Sequence, residues 1–279
     1  MSPALGESST IEVGGGVALF RHFWLISDPK AHVLIVHGYG EHCTRYYPVA
    51  RRLNDRGYSV YSYDHRGHGR SPGKLGHVPS FDAVIDDLKV VFDSVQGGIG
   101  DEPLFIWGHS MGGLITTAFT VRNQPEVEGL VLTSPGVKSD GNVSPVLIAM
   151  SGLIAAFLPW MPVHALDANG ISRVQKEVDK YVNDPMVYHG KILARTGNGM
   201  MNTIKEVESK LGTITLPFIA RHGTEDSLVH HSASELLFEK ASSEDKTLKL
   251  YDGGYHELFN DECKEEFFSD LLGWLNARC

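Results

Sequence analysis

Apolar residues along the chain occur in two alternating arrangements, short continuous runs and longer stretches at helical spacing. The short runs predict buried strands, because a strand covered on both faces carries apolar side chains at every position. The longer stretches are typical of helices that pack one face against a sheet. This alternation predicts an α/β fold with a mostly parallel central sheet flanked by helices. Strands are predicted at residues 33–36, 59–63, 104–107, 129–135, 216–220 and 247–251, helices at 47–55, 81–95, 114–121, 232–240 and 267–275, and an antiparallel edge hairpin from 11–13 and 18–25.

Residues 137–205 interrupt the alternation and show no strand pattern. An apolar stretch at residues 145–160 comes first, and shorter polar helices are predicted at 172–182 and 191–193. We interpret the segment as a helical cap inserted into a single domain, residues 1–279, over the carboxyl edge of its sheet. The apolar stretch has two interpretations: a helix buried between cap and core, or a hydrophobic lid that lines an acyl channel and touches the membrane surface.

Composition and charge exclude several function classes. The chain has 279 residues, of which 42% are hydrophobic and 21% charged, as in ordinary soluble globular proteins. A formal net charge of −9 argues against nucleic acid, whose phosphates attract basic surfaces, and against electrostatic docking to anionic lipid. The three cysteines are few and odd in number, which argues against a disulfide framework and favours a reducing, cytoplasmic location. The sequence indicates neither a signal peptide nor an apolar run of about 18 residues, so a membrane span is not expected.

A candidate nucleophile lies where the strand at residues 104–107 meets the helix at 114–121. The connecting residues Gly108-His109-Ser110-Met111-Gly112 form a G-x-S-x-G motif. The motif alone is weak evidence in a chain with 30 glycines, but its strand–turn–helix context is the one that a nucleophile elbow requires. Glycine at both ends lets strand and helix approach closely and leaves the serine hydroxyl exposed at the turn. Ser110 is therefore the predicted nucleophile.

Two polar residues that follow other strands are candidate partners of Ser110. A serine hydroxyl needs a neighbouring base, and the base needs a carboxylate to hold it. Asp226 follows the strand at 216–220 and His256 follows the strand at 247–251, and the carboxyl ends of parallel strands meet at one edge of a sheet. The order serine, aspartate, histidine along the chain is the one this architecture uses. Asp226 and His256 are therefore predicted to complete a catalytic triad, with Glu225 as the alternative carboxylate.

Two backbone N–H groups are candidate donors to the oxyanion that forms in acyl transfer. Met111 lies directly after the nucleophile at the start of a helix, and Tyr39 lies in the glycine-rich loop after the strand at 33–36. Their positions predict an oxyanion hole formed by these N–H groups. No metal and no cofactor is predicted, because serine chemistry needs neither, and His65 and His68 are interpreted as part of a structural loop.

A set of motifs connects these candidates with a known family. The set consists of residues 37–46 (HGYGEHCTRY), 64–71 (DHRGHGRS), 108–113 (GHSMGG), 179–185 (DKYVNDP) and 245–251 (DKTLKLY). Together and in this order they resemble the monoacylglycerol lipases, serine hydrolases of the α/β-hydrolase fold. The resemblance runs from about residue 34 to about residue 274, which is nearly the whole chain.

The resemblance implies hydrolysis of a monoacylglycerol, a small single-chain lipid, to fatty acid and glycerol through an acyl-serine intermediate. It also implies a polar pocket for the glycerol head group, which maps onto Glu41, Arg45 and Tyr181. One departure concerns this pocket, because Phe259 stands where some members carry a second histidine three residues after the catalytic one. The departure leaves the pocket one polar partner short, or filled differently.

Other functions stay open at this point. A lysophospholipase, a general carboxylesterase or an acyltransferase would use the same triad, although the phosphate of a lysophospholipid favours a more basic pocket than Arg45 alone provides. A catalytically silent lipid-binding or scaffold protein would keep the fold without the chemistry, which a complete Ser/Asp/His set argues against. Transient contact between the cap and a membrane surface is a further expectation, and the sequence indicates no oligomeric state.

Overall fold

A central sheet organises the computed structural model, which describes residues 6–139, 152 and 154–279. Its strands are β1 (Glu7–Val13), β2 (Val17–Trp24), β3 (Ala31–Val36), β4 (Tyr58–Tyr63), β5 (Leu104–His109), β6 (Gly129–Thr133), β9 (Phe218–Gly223) and β10 (Lys246–Tyr251). They lie in the order β1-β2-β4-β3-β5-β6-β9-β10. β2 pairs antiparallel with β1 and with β4, and all other neighbours are parallel. The predicted sheet and the predicted edge hairpin are confirmed.

Helices cover both faces of the sheet and bury its side chains. The helices are α1 (Tyr47–Asn54), α2 (Phe81–Gln96), α3 (Met111–Asn123), α4 (Gln175–Val182), α5 (Ala194–Lys210), α6 (Ser232–Lys240) and α7 (Lys264–Asn276). Successive residues of a strand point to opposite faces, so Leu34 joins one apolar cluster whereas Val33 and Ile35 join the other. Residues of α2, α3, α5 and α6 pack in the cluster of Leu34, and residues of α1 and α7 pack in the cluster of Val33. Burial on both faces explains why these strands have no polar alternation.

The segment interpreted as a cap contains short strands that the sequence analysis did not predict. β7 (Pro162–His164) and β8 (Ile192–Leu193) pair antiparallel in a sheet of their own. The prediction that residues 137–205 contain no strand is therefore wrong, and so is the helix predicted at 191–193. Strands of two and three residues are too short to show the alternation by which strands are recognised. α4 confirms the second half of the helix predicted at 172–182, and α5 continues past residue 205.

Part of the apolar stretch predicted at 145–160 lies outside the described residues, which omit 140–151 and 153. Its last residues are described, and several of their side chains face solvent: Phe157 is 80% exposed and Leu158 is 57% exposed. Among the helices of the described residues, none combines the length and the apolar character needed to cross a membrane.

Candidate active site

The turn between β5 and α3 places Ser110 in a strained backbone conformation. β5 ends at His109 and α3 begins at Met111, so Ser110 alone makes the turn, with φ 55° and ψ −119°. A positive φ is costly for a residue with a Cβ and is typical of the serine in a nucleophile elbow. Glycine is required on both sides: a Cβ at Gly108 would lie 2.6 Å from Thr116 Oγ1, and one at Gly112 would lie 2.0 Å from Val36 O. The local sequence thus explains the sharp turn.

Asp226 and His256 lie in the loops after β9 and β10 and are hydrogen-bonded to each other. His256 Nδ1 donates to Asp226 Oδ2 over 2.7 Å, and the two side chains are buried. The other carboxylate oxygen, Oδ1, accepts the backbone N–H groups of Leu228 and Val229 at 2.9 and 3.0 Å. Glu225, the alternative carboxylate, is exposed. The structure therefore joins His256 to Asp226.

Charge in this pair is stabilised by neighbouring groups. Burial by itself would raise the pKa of Asp226, but attraction to His256 and hydrogen bonds from the two neighbouring imidazoles leave its pKa well below the usual range. Burial would likewise lower the pKa of His256, yet the Asp226 carboxylate outweighs it and leaves the pKa of the imidazole raised. The pair therefore favours the imidazolium that forms when a histidine takes a proton.

Two further residues hold this pair, and the sequence analysis did not identify either. His222, on β9, places Nε2 3.1 Å from Asp226 Oδ2 and is held at Nδ1 by Ser234 Oγ at 2.8 Å. Ser134, after β6, donates its hydroxyl to the backbone oxygen of His256 over 2.9 Å. The only signal in the sequence was their position at the carboxyl ends of strands, which they share with many residues.

His109 connects the elbow with the His256 loop. Its ring lies 4.7 Å from the ring of His256, and it is the residue immediately before Ser110. Phe259 packs edge-on against the His109 ring at 5.1 Å and against Trp107 at 5.8 Å. Phe259 therefore lies in an aromatic cluster next to the site.

The loop after β3 packs against the start of α3. Because Gly112 lies against the carbonyl oxygens of Val36 and His37, the N-terminal end of α3 lies beside the backbone of this loop. Met111 is the first residue of α3, so its N–H has no partner within the helix. The Tyr39 side chain is directed away from this contact and donates its hydroxyl to Gly76 O over 2.7 Å. The loop that carries Tyr39 thus packs, through Val36 and His37, against the first turn of α3, which begins at Met111.

The residues predicted for a head-group pocket form one polar cluster, in which Glu41 is buried and Arg45 and Tyr181 are partly buried. Arg45 Nη1 donates to Glu41 Oε2 over 2.5 Å, and the guanidinium carbon lies 4.7 Å from the centre of the Tyr181 ring. Glu41 Oε1 accepts the backbone N–H of Gly38 at 2.6 Å and the Tyr46 hydroxyl at 2.9 Å. The cluster has another member, the carboxylate of Glu257, which the sequence analysis did not identify.

His65 and His68 lie in a buried group of histidine rings with His37. The ring centres of His37 and His65 are 4.2 Å apart, and those of His65 and His68 are 6.1 Å apart. The backbone N–H of His65 donates to His37 Nε2, so the proton of His37 is on Nδ1, which donates to Gly38 O over 2.7 Å. Within residues 6–139, 152 and 154–279 no group of three or more histidine, cysteine or acidic side chains is arranged to hold a metal ion.

These buried rings make the fold sensitive to acid. Burial lowers the pKa of His65 and His109 to about 3 and that of His68 to about 4, while the unfolded chain protonates near its ordinary value of 6.5. Below about pH 6.5 only the unfolded chain takes up these protons, so the free energy of unfolding falls as pH falls. We expect a loss of about 1–2 kcal/mol per ring at about pH 5, measured as a lower urea midpoint than at about pH 7.5.

A matched pair of variants isolates the buried rings. His68→Gln is expected to reduce the pH dependence of the urea midpoint, whereas His230→Gln, at an exposed position, is expected to leave it unchanged. The raised pKa of His256 acts in the opposite direction. Equal midpoints at the two pH values would contradict the assignment of neutral buried rings.

Comparison with known proteins places the chain in a family. The family model described as "Serine aminopeptidase, S33" matches residues 27–263. The monoacylglycerol lipase of Mycolicibacterium smegmatis is 36% identical over 262 residues, which are 94% of each chain. The monoglyceride lipase of Mus musculus is 34% identical over 267 residues, 94% of this chain and 88% of the mouse protein. The crystal structure of Paleococcus ferrophilus monoacylglycerol lipase superposes with a TM-score of 0.83 at 29% identity, covering 94% of this chain and 99% of that one.

The matches cover nearly the whole chain, and their sequence identity is high enough to show a family relationship. The fold is shared with the solved structure. The chain therefore belongs to the family described as serine aminopeptidase S33 and, within it, to the monoacylglycerol lipases, ester hydrolases of the α/β-hydrolase fold.

Proposed function

We propose that this protein hydrolyses monoacylglycerol to a free fatty acid and glycerol through an acyl-serine intermediate. The observation that carries the proposal is the buried hydrogen bond between His256 and Asp226 beside a strained serine elbow. The relatives named monoacylglycerol lipase supply the substrate class, since they match nearly the whole chain. In this proposal residues 1–279 form one hydrolase domain, and residues 137–205 are a cap inserted over the edge of its sheet.

Each site residue has one task in the proposed reaction. Ser110 Oγ attacks the ester carbonyl while His256 takes its proton, and Asp226 orients the imidazole and stabilises its charge. The N–H groups of Tyr39 and Met111 donate to the oxyanion. The proton on His256 then passes to the departing glycerol oxygen. His256 then takes a proton from water, which attacks the acyl-serine. The bond to Ser110 Oγ breaks, the proton passes from His256 to Ser110 Oγ, and the fatty acid is released.

The polar cluster of Glu41, Arg45 and Tyr181 is proposed to receive the glycerol head group. Support comes from its position. The point where a Cβ of Gly38 would lie is 2.9 Å from Glu41 Oε1 and 3.2 Å from Ser110 Cβ, so the cluster begins directly beside the nucleophile. A neutral polyol suits such a place, because its hydroxyls both donate and accept hydrogen bonds.

A hydrolysis panel tests the proposed function. Monoacylglycerols of several chain lengths are compared with lysophosphatidylcholine and with a soluble short-chain ester, and an added alcohol reveals acyl transfer. We expect the highest kcat/KM for a monoacylglycerol and covalent labelling of Ser110 by a fluorophosphonate probe. Preference for lysophosphatidylcholine would favour a lysophospholipase, and absence of labelling would favour a non-catalytic lipid-binding or scaffold protein.

The exposed end of the apolar stretch is proposed to contact a lipid surface. Phe157 is 80% exposed, Leu158 57%, Trp160 49% and Val163 38%, all within a few residues of each other. Apolar side chains that face water in such number are typical of an interaction surface. Because the net charge is −9, contact with an uncharged membrane is expected, made from the cytoplasmic side without a spanning helix.

Replacing Phe157 and Leu158 with serine is expected to lower binding to phosphatidylcholine vesicles about 10-fold or more, because two exposed apolar side chains are lost. Turnover of a soluble short-chain ester is expected to stay unchanged. Leu25→Ser removes a side chain of similar exposure, 50%, elsewhere on the surface and serves as the control. Equal losses in vesicle binding and in soluble-ester turnover would instead indicate that the two side chains support the packing of the site.

A further inference from the structure

The side chain of Glu257 holds Arg45 in a bidentate ion pair. Glu257 is the residue immediately after His256, and it is 2% exposed. Its Oε1 accepts from Arg45 Nη1 at 2.8 Å and its Oε2 accepts from Arg45 Nη2 at 3.0 Å. Asn260 Nδ2 donates to Oε2 over 2.7 Å as well. The geometry is that of two parallel N–H···O bonds, which is the strongest form of this interaction.

Arg45 has little capacity left for a ligand. The same Nη1 that contacts Glu257 also donates to Glu41 Oε2, and the ring of Tyr181 covers the guanidinium at 4.7 Å. An arginine whose planar fork is free binds phosphate bidentately, whereas this fork already binds two carboxylates. Arg45 is therefore an internal counter-ion.

The charge of the cluster follows from these pairs. Two carboxylates and one guanidinium sum to one negative charge when Glu41 is ionised and to zero when it is protonated. Burial raises the pKa of Glu41, while attraction to Arg45 outweighs burial and leaves the pKa of Glu257 lowered, so Glu257 is ionised at neutral pH. In neither state does the cluster carry positive charge.

We propose that Glu257 is a specificity-determining residue, which keeps the head-group site free of positive charge so that it accepts an uncharged polyol and excludes a phosphate-bearing head group. The proposal rests on the proposed function, because that function places the head group at Glu41 and Arg45. Glu257 acts through Arg45, since it withdraws the cation that a phosphate needs. Glu257 thus makes the site discriminate between two substrate classes, acyl esters of glycerol and acyl esters of glycerol phosphate.

The test compares two substrates that differ only in the phosphate, a monoacylglycerol and the lysophosphatidate with the same acyl chain. Glu257→Gln keeps the shape of the side chain and removes its charge. We expect the ratio of kcat/KM for lysophosphatidate to kcat/KM for monoacylglycerol to rise about 10- to 100-fold at low ionic strength. The ratio cancels a general loss of activity, because both esters undergo the same acyl transfer. An unchanged ratio overturns the proposal.

Two control variants separate this role from a structural one. Arg45→Gln combined with Glu257→Gln restores the formal charge of the wild-type cluster and removes the cation, so the ratio is expected to return close to the wild-type value. A ratio that stays raised in the double variant overturns the role of Arg45. Glu265→Gln removes one charge from an exposed ion pair with Arg52 and is expected to leave the ratio unchanged.

A measurement on the wild-type protein applies even if Glu257→Gln does not fold, and it needs no turnover of monoacylglycerol. Hydrolysis of p-nitrophenyl butyrate is measured with glycerol or sn-glycerol 3-phosphate added at matched ionic strength. We expect glycerol to inhibit at concentrations at which glycerol 3-phosphate does not. Equal effects of the two, or stronger inhibition by glycerol 3-phosphate, overturn the proposal. Turnover of the soluble ester without turnover of any monoacylglycerol would refute the proposed function alone.

Discussion

Replacement of Ser110 by alanine is expected to lower kcat by about 10³- to 10⁶-fold, which is the range seen when a catalytic triad loses its nucleophile. The reason is specific to this site: Ser110 takes the φ of 55° at the turn between β5 and α3, and it stays partly exposed there. Alanine adopts the same strained backbone with a Cβ of the same size, so the fold is expected to persist. Residual turnover would come from the oxyanion hole and from binding.

The measurement is single-turnover and steady-state hydrolysis of a monoacylglycerol, together with fluorophosphonate labelling and the melting temperature. Ser209→Ala, at an exposed position on α5, is the matched control and is expected to keep full activity and lose no labelling. Turnover by Ser110→Ala within about tenfold of the wild type would show that another residue forms the acyl-enzyme.

Asp226→Asn is expected to lower kcat by about 10⁴-fold, because an amide at this position reverses the hydrogen bond to the base. In the wild type Nδ1 of His256 carries the proton and donates to Asp226, which leaves Nε2 free to accept the proton of Ser110. An asparagine donates to Nδ1 and moves the proton of the ring to Nε2. The base then has no lone pair directed toward the nucleophile.

Glu225→Gln gives the matched control one residue away. Glu225 is exposed and Asp226 is buried, so the same change from carboxylate to amide is expected to have no effect at residue 225. The acidic limb of the pH–rate profile gives a second measurement of the role of Asp226. Because Asp226 raises the pKa of His256, the acidic limb of the wild type is expected above pH 6.5. In Asp226→Asn the limb is expected to move to lower pH. A larger loss in Glu225→Gln than in Asp226→Asn would reverse the assignment of the carboxylate.

Several features of the site follow from local sequence, and the reason is steric. The elbow needs glycine where strand and helix backbones touch, so Gly108 and Gly112 around a serine predict the turn once a strand precedes them and a helix follows. The sheet can be predicted in the same way, because a strand buried on both faces leaves an uninterrupted apolar run, as at residues 33–36. The order of Ser110, Asp226 and His256 after successive strands then indicates that they meet at one edge.

Other features have no local signal. β7 and β8 consist of a few residues each and are formed by pairing with one another, so no periodicity along the chain predicts them. His222 is one of 14 histidines, and its role is recognised from its distance of 3.1 Å to Asp226 in the folded chain. Ser134 is a similar case, since its contact with His256 joins loops that are far apart in the chain.

The sequence by itself determined the fold class, the elbow at Ser110 and the candidates for its partners, because these depend on backbone sterics and on the spacing of apolar residues along the chain. Only the tertiary structure decided that Asp226 rather than Glu225 faces His256, and that Arg45 is bound by Glu257 from a loop more than two hundred residues away. Ion pairs and buried hydrogen bonds depend on distances in space, which the chain sets only once strands from both of its halves lie side by side. The charge of the head-group site is for this reason a property of the fold.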